Sequence, residues 1–111
     1  MSDLETLSAR LAAFNDARDW GQYHTPRNLA MALSVEAAEL LECFLWTEEA
    51  SPLQDGGHLA EEAADILICL LNFCRRANID LATAFEEKLA RNAAKYPVEK
   101  ARGRAEKYDQ L

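Results

Sequence analysis

Two short acidic motifs, Glu-Ala-Ala-Glu at residues 36–39 and Glu-Ala-Ala-Asp at residues 62–65, lie inside otherwise apolar stretches of the chain. Residues three apart lie on the same face of an α-helix, so each motif places two carboxylates side by side. If the two helices pack against each other, the four carboxylates form one patch. The four acids are Glu36, Glu39, Glu62 and Asp65.

The apolar surroundings of these acids point to a ligand. Most acid pairs at this spacing belong to a solvated helix surface. At about 100° per residue, however, Glu36 lies within the stripe of Leu29 and Leu40, and Glu62 borders a stripe that contains Ile66. Carboxylates gathered there repel one another and resist ionisation, so a positive group should lie among them. An all-oxygen ligand set suits Mg²⁺, with Mn²⁺ as an alternative.

The composition predicts a single all-α domain over residues 1–111. Half of the 111 residues are hydrophobic, but there are only 4 Gly and 3 Pro, whereas all-β folds need many turn residues. The formal net charge of −7 disfavours binding to a nucleic-acid polymer.

The cysteines and the apolar runs indicate where the protein works. The 3 cysteines are an odd number and all lie in apolar stretches, which is typical of buried thiols in a reducing compartment. No signal peptide is visible, and the longest apolar run is too short to span a bilayer. We therefore expect a cytoplasmic protein that does not bind a membrane.

The helical spacing of apolar residues predicts four helices, at about residues 3–18, 26–47, 58–77 and 81–95. The tail, residues 98–111, is polar and of a kind that is commonly disordered or forms a surface arm.

Residues at the helix ends agree with these bounds. Thr25 and Asp80 are suited to cap the second and fourth helices at their N-termini, and Asn78 is suited to a left-handed cap after the third. On the fourth helix, Phe85 and Leu89 are predicted to face inward.

The second and third helices are apolar on nearly all sides, and Asn72 is the only polar side chain between residues 66 and 73. A helix that is hydrophobic all round must be buried on all sides, which one small bundle cannot achieve. We therefore expect a homo-oligomer, at least a dimer.

Other site chemistries fit the sequence less well. Neither of the 2 histidines has the spacing of a zinc ligand, and neither follows a Glu-x-x-His pattern, so zinc and di-iron sites are disfavoured. A Gly-x-x-x-x-Gly-Lys phosphate loop is absent from the sequence.

Two further groups are candidates for ligand contact. The aromatic and polar segment at residues 18–25 is typical of a binding loop, although Trp20 is equally suited to fill the core and His24 to a structural role. Trp46 is suited to the core or to a ligand near the metal. A one-sided stripe on the fourth helix either neutralises a polyphosphate or is a solvated face. Its members are Lys88, Asn92 and Lys95.

The ordered set of motifs resembles a known family. Glu36-x-x-Glu39, Glu62-x-x-Asp65 and Asn92-x-x-Lys95-Tyr96-Pro97 together resemble the all-α nucleotide pyrophosphohydrolases of the MazG type. Residues 19–29 (Asp-Trp-Gly-Gln-Tyr-His-Thr-Pro-Arg-Asn-Leu), Phe44-Leu45-Trp46 and the tail elements Arg102-Gly103 and Lys107-Tyr108 are similar to the dCTP pyrophosphatase branch. The resemblance runs from about Phe14 to the last residue.

This resemblance implies a four-helix unit that assembles as a dimer or a dimer of dimers. The implied reaction is hydrolysis of a dNTP to dNMP and pyrophosphate by attack of water on the α-phosphorus, which would remove unwanted nucleotides from the pool. Mg²⁺ would be held by Glu36, Glu39, Glu62 and Asp65. The residues around the base and sugar would be Trp20, Gly21, Gln22, Tyr23, His24 and Trp46, and those beside the phosphates Lys88, Asn92 and Lys95.

The chain departs from that branch at two positions that the resemblance places near the substrate. Cys69 stands where the branch has a tyrosine, and Leu11 where it has a histidine. Two alternatives stay open: the same chemistry on another nucleotide such as dUTP, and a non-catalytic helical dimerisation or regulatory module.

Overall fold

A computed structural model describes residues 3–46 and 56–111, and all regular structure within these ranges is helical. Five helices follow one another: α1 (Asp3–Ala17), α2 (Pro26–Glu42), α3 (Gly56–Arg76), α4 (Leu81–Lys95) and α5 (Val98–Ala101). Single 3₁₀ turns lie at Gly21–Tyr23 and Tyr108–Gln110. The predicted all-α class is confirmed. Within the described ranges, every helix is too short or too polar to cross a membrane.

The chain divides into two compact units, residues 1–79 and residues 80–111. In the first unit, α1 and α2 both pack against α3. Leu29 of α2 and Leu71 and Cys74 of α3 are its most deeply buried apolar side chains. That the whole chain forms a single domain stays a prediction.

The contact between α1 and α3 is polar as well as apolar. Asn15 Nδ2 donates a hydrogen bond to Asn72 Oδ1 at 2.9 Å, and both side chains are buried. Near the other end of this contact, Arg75 Nη1 lies 3.4 Å from both the carbonyl oxygen and the hydroxyl oxygen of Ser8. These bonds fix the position of α1 along α3.

The second helix begins as predicted and ends earlier than predicted. Thr25 Oγ1 accepts a hydrogen bond from the backbone N–H of Asn28 at 3.1 Å, which satisfies one of the free donors of the first turn. After Glu42 the backbone tightens, because the N–H groups of Cys43 and Phe44 bond to carbonyls three residues back. Trp46 then has a positive φ of 64°, which a continuing helix does not allow.

The predicted loop at residues 48–57 lies mostly outside the described residues. Its last two residues, Gly56 and Gly57, are the first two of α3. The third helix ends at Arg76, and Asn78 has the left-handed backbone (φ 57°) predicted for a cap.

The second unit consists of α4, α5 and the last 3₁₀ turn. Asp80 caps α4 as predicted, because its Oδ1 accepts from the N–H of Thr83 at 3.2 Å. Phe85 and Leu89 are 59% and 52% exposed, so the prediction that they face inward is wrong for this chain. The short elements that follow α4 in its own unit do not cover them.

The tail, which the sequence indicated to be disordered or a surface arm, makes aromatic contacts within its own unit. The rings of Tyr96 and Tyr108 meet edge to face with their centroids 6.1 Å apart. Lys95 Nζ lies 5.0 Å from the centroid of the Tyr108 ring, and Arg104 pairs with Glu106 at 3.2 Å. The last residues therefore fold back onto the end of α4.

Candidate metal centre and adjoining pocket

Helices α2 and α3 bring three acids together. Glu36 of α2 and Glu62 and Asp65 of α3 each place one carboxylate oxygen within 4.8 Å of the other two. Glu62 is only 7% exposed, whereas Glu36 and Asp65 are partly exposed. Since the two motifs lie on facing sides of packed helices, the fold itself holds like charges together.

Glu39 of α2 belongs with this group, because its carboxyl group contributes to raising the pKa of both Glu36 and Glu62. We call Glu36, Glu39, Glu62 and Asp65 the acid cluster.

Two members of the acid cluster have raised pKa values. The hydrogen bond to Glu39, followed by burial and by the nearby negative charges, raises the pKa of Glu36 to about 7. Burial, followed by the hydrogen bond to Glu39, raises the pKa of Glu62, and His58, whose Nε2 lies 3.8 Å from Glu62 Oε1, acts in the opposite direction. Both shifts mean that the full negative charge of the cluster is unfavourable without a cation.

Two oxygens of the acid cluster lack a hydrogen-bond partner within the described part of the chain. Glu36 Oε2 and Glu62 Oε2 are buried and have no hydrogen-bond partner within residues 3–46 and 56–111. A buried polar atom without a partner is costly. Two oxygen ligands of one Mg²⁺ lie roughly 3–4 Å apart, so separations of up to 4.8 Å need little change to hold one ion. The donor set and the two free oxygens fit a hard divalent cation.

A pocket of about 380 Å³ opens between α1 and α3, and we call it the α1–α3 pocket. Its lining is mainly apolar and aromatic, with the buried Asn15 and Asn72 among the polar side chains. Other lining residues are Leu11, Phe14, Trp20, His24 and Ile68. Along α3, Asn72 lies seven residues beyond Asp65, which is about 10 Å of helix rise, and the two residues share one face.

Comparison with known proteins identifies the family to which this arrangement belongs. The model of the MazG-like family matches residues 31–111. The chain belongs to the MazG-like family. This confirms the resemblance drawn from the motifs.

Relatives and solved structures agree with this assignment. The proteins named dCTP pyrophosphatase 1 from Rattus norvegicus and Homo sapiens are 39% and 38% identical to this chain, over 100% of its length and 67% of theirs. The crystal structure of a pyrophosphatase from Archaeoglobus fulgidus superposes with a TM-score of 0.81 at 41% identity, and the match covers 87% of this chain and 94% of that one.

In this MazG-like chain, the end of α1 positions Trp20 at the wall of the α1–α3 pocket. Asp19 has a positive φ of 53°, and the Trp20 N–H returns to the carbonyl oxygen of Asn15 at 3.1 Å. The Trp20 ring meets the Phe14 ring edge to face with centroids 5.7 Å apart, while the Arg18 guanidinium lies 3.7 Å from the Phe14 centroid. The Trp20 ring is therefore fixed in position by Phe14 and lines the α1–α3 pocket, and it is exposed enough to contact a ligand.

The other loop residues that the sequence nominated differ in position. His24 lines the α1–α3 pocket, and Gly21 lines a neighbouring cavity of about 240 Å³ that also contacts Arg75. Gln22 Nε2 donates to the carbonyl oxygen of Asp19 at 2.9 Å, and so braces the loop. Tyr23 is exposed, and its carbonyl oxygen accepts from Asn28 Nδ2.

The remaining nominated residues belong to other segments of the chain. Trp46 is 94% exposed at the end of a described range. Lys88, Asn92 and Lys95 belong to α4 in the second unit. Cys69 is close to the acid cluster. Burial raises the pKa of its thiol, and the charges of Glu36 and Asp65 raise it further.

Sequence reasoning did not nominate Asn15, Phe14 or Asn72 as site residues. Asn72 carried a signal, because it is the single polar side chain in an apolar helical run and such a residue needs a partner. Its partner Asn15 lies 57 positions away, so sequence spacing gave no means of identifying it.

Proposed function

We propose that this MazG-like protein is a nucleotide-pool house-cleaning enzyme of the cytoplasm that hydrolyses dCTP, or a 5-modified dCTP, to dNMP and pyrophosphate with Mg²⁺ as cofactor. The acid cluster carries the proposal, because two of its buried carboxylate oxygens have no partner within the described chain. The names of its relatives, dCTP pyrophosphatase 1 and a pyrophosphatase, support the reaction and the substrate.

The acid cluster is the proposed metal-binding and catalytic site. Glu36, Glu39, Glu62 and Asp65 hold the cation, which when bound neutralises phosphate charge and lowers the pKa of water. With a pKa raised to about 7, the Glu36 carboxyl group is partly protonated near neutral pH when no cation is bound. Binding of the ion releases such protons, so the affinity for the ion rises with pH.

The α1–α3 pocket is the proposed site of the base. Trp20 and Phe14 supply aromatic surface, and stacking on such side chains binds bases of any identity. Asn72 of the pocket and Asp65 of the acid cluster share one face of α3, about 10 Å of helix rise apart, so a nucleotide with its base in the pocket is proposed to extend its phosphates toward Asp65. Lys88, Asn92 and Lys95 are proposed to contact the phosphates.

A panel of nucleoside triphosphates tests the proposal. With Mg²⁺, we expect the highest kcat/KM for dCTP or 5-methyl-dCTP, and products in a 1:1 ratio of dNMP to pyrophosphate. EDTA should abolish turnover, and added Mg²⁺ should restore it. Release of orthophosphate would contradict cleavage at the α-phosphorus, a preference for dUTP would support the alternative substrate, and no turnover of any nucleotide would support a non-catalytic module.

We further propose that the protein forms a homo-oligomer, dimer or tetramer. On α2 the residues opposite the face packed on α3 are also apolar: Met31, Val35 and Leu41 are 57%, 57% and 72% exposed. A helix with two apolar faces needs a second partner. Val35→Glu should therefore produce smaller particles than the native protein in light scattering coupled to size exclusion, and Ala13→Glu at an exposed position of α1 is the control.

A further inference from the structure

The floor of the α1–α3 pocket holds a hydrogen-bonded pair of asparagines. Asn15 and Asn72 are each 8% exposed, and both contribute to the pocket lining. Asn15 Nδ2 donates to Asn72 Oδ1 at 2.9 Å. Most of the other side chains that line the pocket are apolar or aromatic, and the remaining polar ones are Arg10 and His24.

The hydrogen bond between the two amides leaves a donor and an acceptor for a ligand. It uses one N–H of Asn15 and one lone pair of Asn72. The carbonyl oxygen Oδ1 of Asn15 therefore stays an acceptor, and the Nδ2 group of Asn72 stays a donor. Both belong to side chains more than nine-tenths buried, so a ligand that meets them in the pocket is largely shielded from competing water.

The other polar residues of the pocket do not offer this combination. Arg10 also lines the pocket, but a guanidinium carries donors only. A neutral His24 has one donor and one acceptor, but its two ring nitrogens point in divergent directions. Only the asparagine pair presents an acceptor and a donor side by side.

We propose that the Asn15–Asn72 pair binds the Watson–Crick edge of the substrate's base and selects a 4-aminopyrimidine over a 4-oxopyrimidine. The proposal rests on the nucleotide function proposed above and names its specificity-determining residues. In cytosine, the 4-amino donor lies next to the N3 acceptor, which matches the acceptor on Asn15 and the donor on Asn72. In uracil the 4-oxo acceptor lies next to the N3–H donor. The 4-oxo group would then face the acceptor on Asn15, and the N3–H group would face the donor on Asn72.

The selectivity depends on the direction of the bond between the two amides. Rotating both amide groups by half a turn keeps the hydrogen bond but exchanges the free donor and the free acceptor, and the pair then matches uracil. A site discriminates strongly against a ligand that leaves its buried polar groups unpaired. Here the pair can rotate to match uracil, so the wrong base still binds, although less well. We therefore expect a preference for dCTP over dUTP of about 10- to 100-fold, below the strongest known discrimination.

The test replaces both amides by apolar groups of similar size. Replacing both partners of a buried hydrogen bond together is far less disruptive than replacing one, so Asn15→Leu/Asn72→Leu should stay folded. We expect the ratio of kcat/KM for dCTP to that for dUTP to fall toward 1 in this variant. Leu11→Ala, an apolar lining residue of the same pocket, is the control and should change kcat/KM for both nucleotides by the same factor.

A binding measurement separates this inference from the proposed hydrolysis. The affinities of dCMP and dUMP, measured by calorimetry, should show the same preference in the native protein and its loss in the double variant. If no triphosphate is hydrolysed but dCMP is still preferred, the proposed function fails and this inference stands. If the native protein binds and hydrolyses both bases equally, or if the double variant keeps the native preference, the pair does not read the base.

Discussion

The acid cluster and the Asn15–Asn72 pair share one face of α3 through Asp65 and Asn72, which are about 10 Å of helix rise apart. The cluster is charged and keeps two buried oxygens without partners in the described chain. The amide pair is neutral and satisfies itself through one hydrogen bond. The acid cluster therefore needs a cation to be stable. The amide pair is stable without a ligand, and its internal hydrogen bond is kept when a ligand binds. Changes in the cluster should alter the rate on every nucleotide, and changes around the pair should alter which nucleotide is chosen.

The largest effect is expected from Glu62→Gln. The substitution keeps the shape of the most deeply buried acid of the cluster but removes a charge and an oxygen ligand for the cation. We expect kcat/KM to fall by at least about 10³-fold on dCTP and dUTP alike, a loss comparable to removing a group that stabilises transition-state charge. Steady-state rates of pyrophosphate release measure it.

The neighbouring residue Glu61 provides the control for this experiment. Glu61 is exposed on the same helix, so Glu61→Gln should leave the rate unchanged. Glu36→Gln and Asp65→Asn should behave like Glu62→Gln, and each should keep its helical circular dichroism. Normal turnover in any of the three would exclude that residue from the metal site.

The second effect tests the wall of the pocket. Trp20→Ala removes an aromatic ring held against Phe14, and base stacking on such a ring is worth about 1–3 kcal/mol. We expect KM for dCTP to rise by roughly 5- to 150-fold, which is that free energy expressed as a ratio, with a much smaller change in kcat. Trp20→Phe keeps a stacking surface and should recover most of the affinity.

A purely structural role for Trp20 gives a different result. If its ring only fills the space beside α1, Trp20→Ala will lower Tm and leave KM within twofold of the native value. Comparing KM and Tm in the same variants therefore decides between the two roles that the sequence left open.

The two regions also differ in how far the sequence revealed them. The acids of each motif are three residues apart on one helix, so periodicity predicted that the four would form one patch if the two helices packed together. The end of α2 at Glu42 depends on a left-handed backbone at Trp46, and the ordered tail depends on contacts of Tyr108 with Tyr96 and Lys95. Neither contact follows from helical periodicity.

The pocket shows the same limit more clearly. Asn72 was recognisable as a lone polar residue in an apolar helix, but nothing in its neighbourhood named Asn15 as its partner across 57 positions. The pairing exists because α1 packs on α3 in one register, and that register comes from the tertiary fold. Local patterns therefore predicted the charged site, while the uncharged recognition site required the structure.

A third effect concerns stability, pH and the cation. The pKa of Glu36 is about 7 in the folded protein, whereas an ordinary glutamate has a pKa of 4.5. The folded state therefore binds this proton more tightly than the unfolded state does. This contribution to stability is complete below the unfolded value and is lost as pH rises through about 7. Saturating Mg²⁺ should raise Tm by roughly 5–10 °C at pH 8 and by less at pH 6, because protons compete for the same oxygens.

Glu36→Gln isolates this contribution from all other titrations of the protein. Without Mg²⁺, the fall in Tm between pH 6 and pH 8 should be smaller in the variant than in the native protein, as measured by differential scanning calorimetry. The added stabilisation by Mg²⁺ should also be lost. An equal fall in Tm with pH in both proteins would show that Glu36 does not hold its proton in the folded state.

The smallest effect is expected on α4, where the triphosphate requires a positive partner that neither the acids nor the amides supply. Lys88→Gln should raise KM for dCTP by about 3- to 10-fold, in the range of a partly exposed charge contact, and added salt should reduce the difference. Lys95 is a less informative choice, because its contact with the Tyr108 ring also orders the tail.

Lys100→Gln on α5 is the control, since it removes the same charge from the second unit outside the stripe. An equal change in KM in both variants would reflect net charge alone, and no change in Lys88→Gln would make the stripe a solvated face, so that the phosphates would depend on the cation held by the acid cluster.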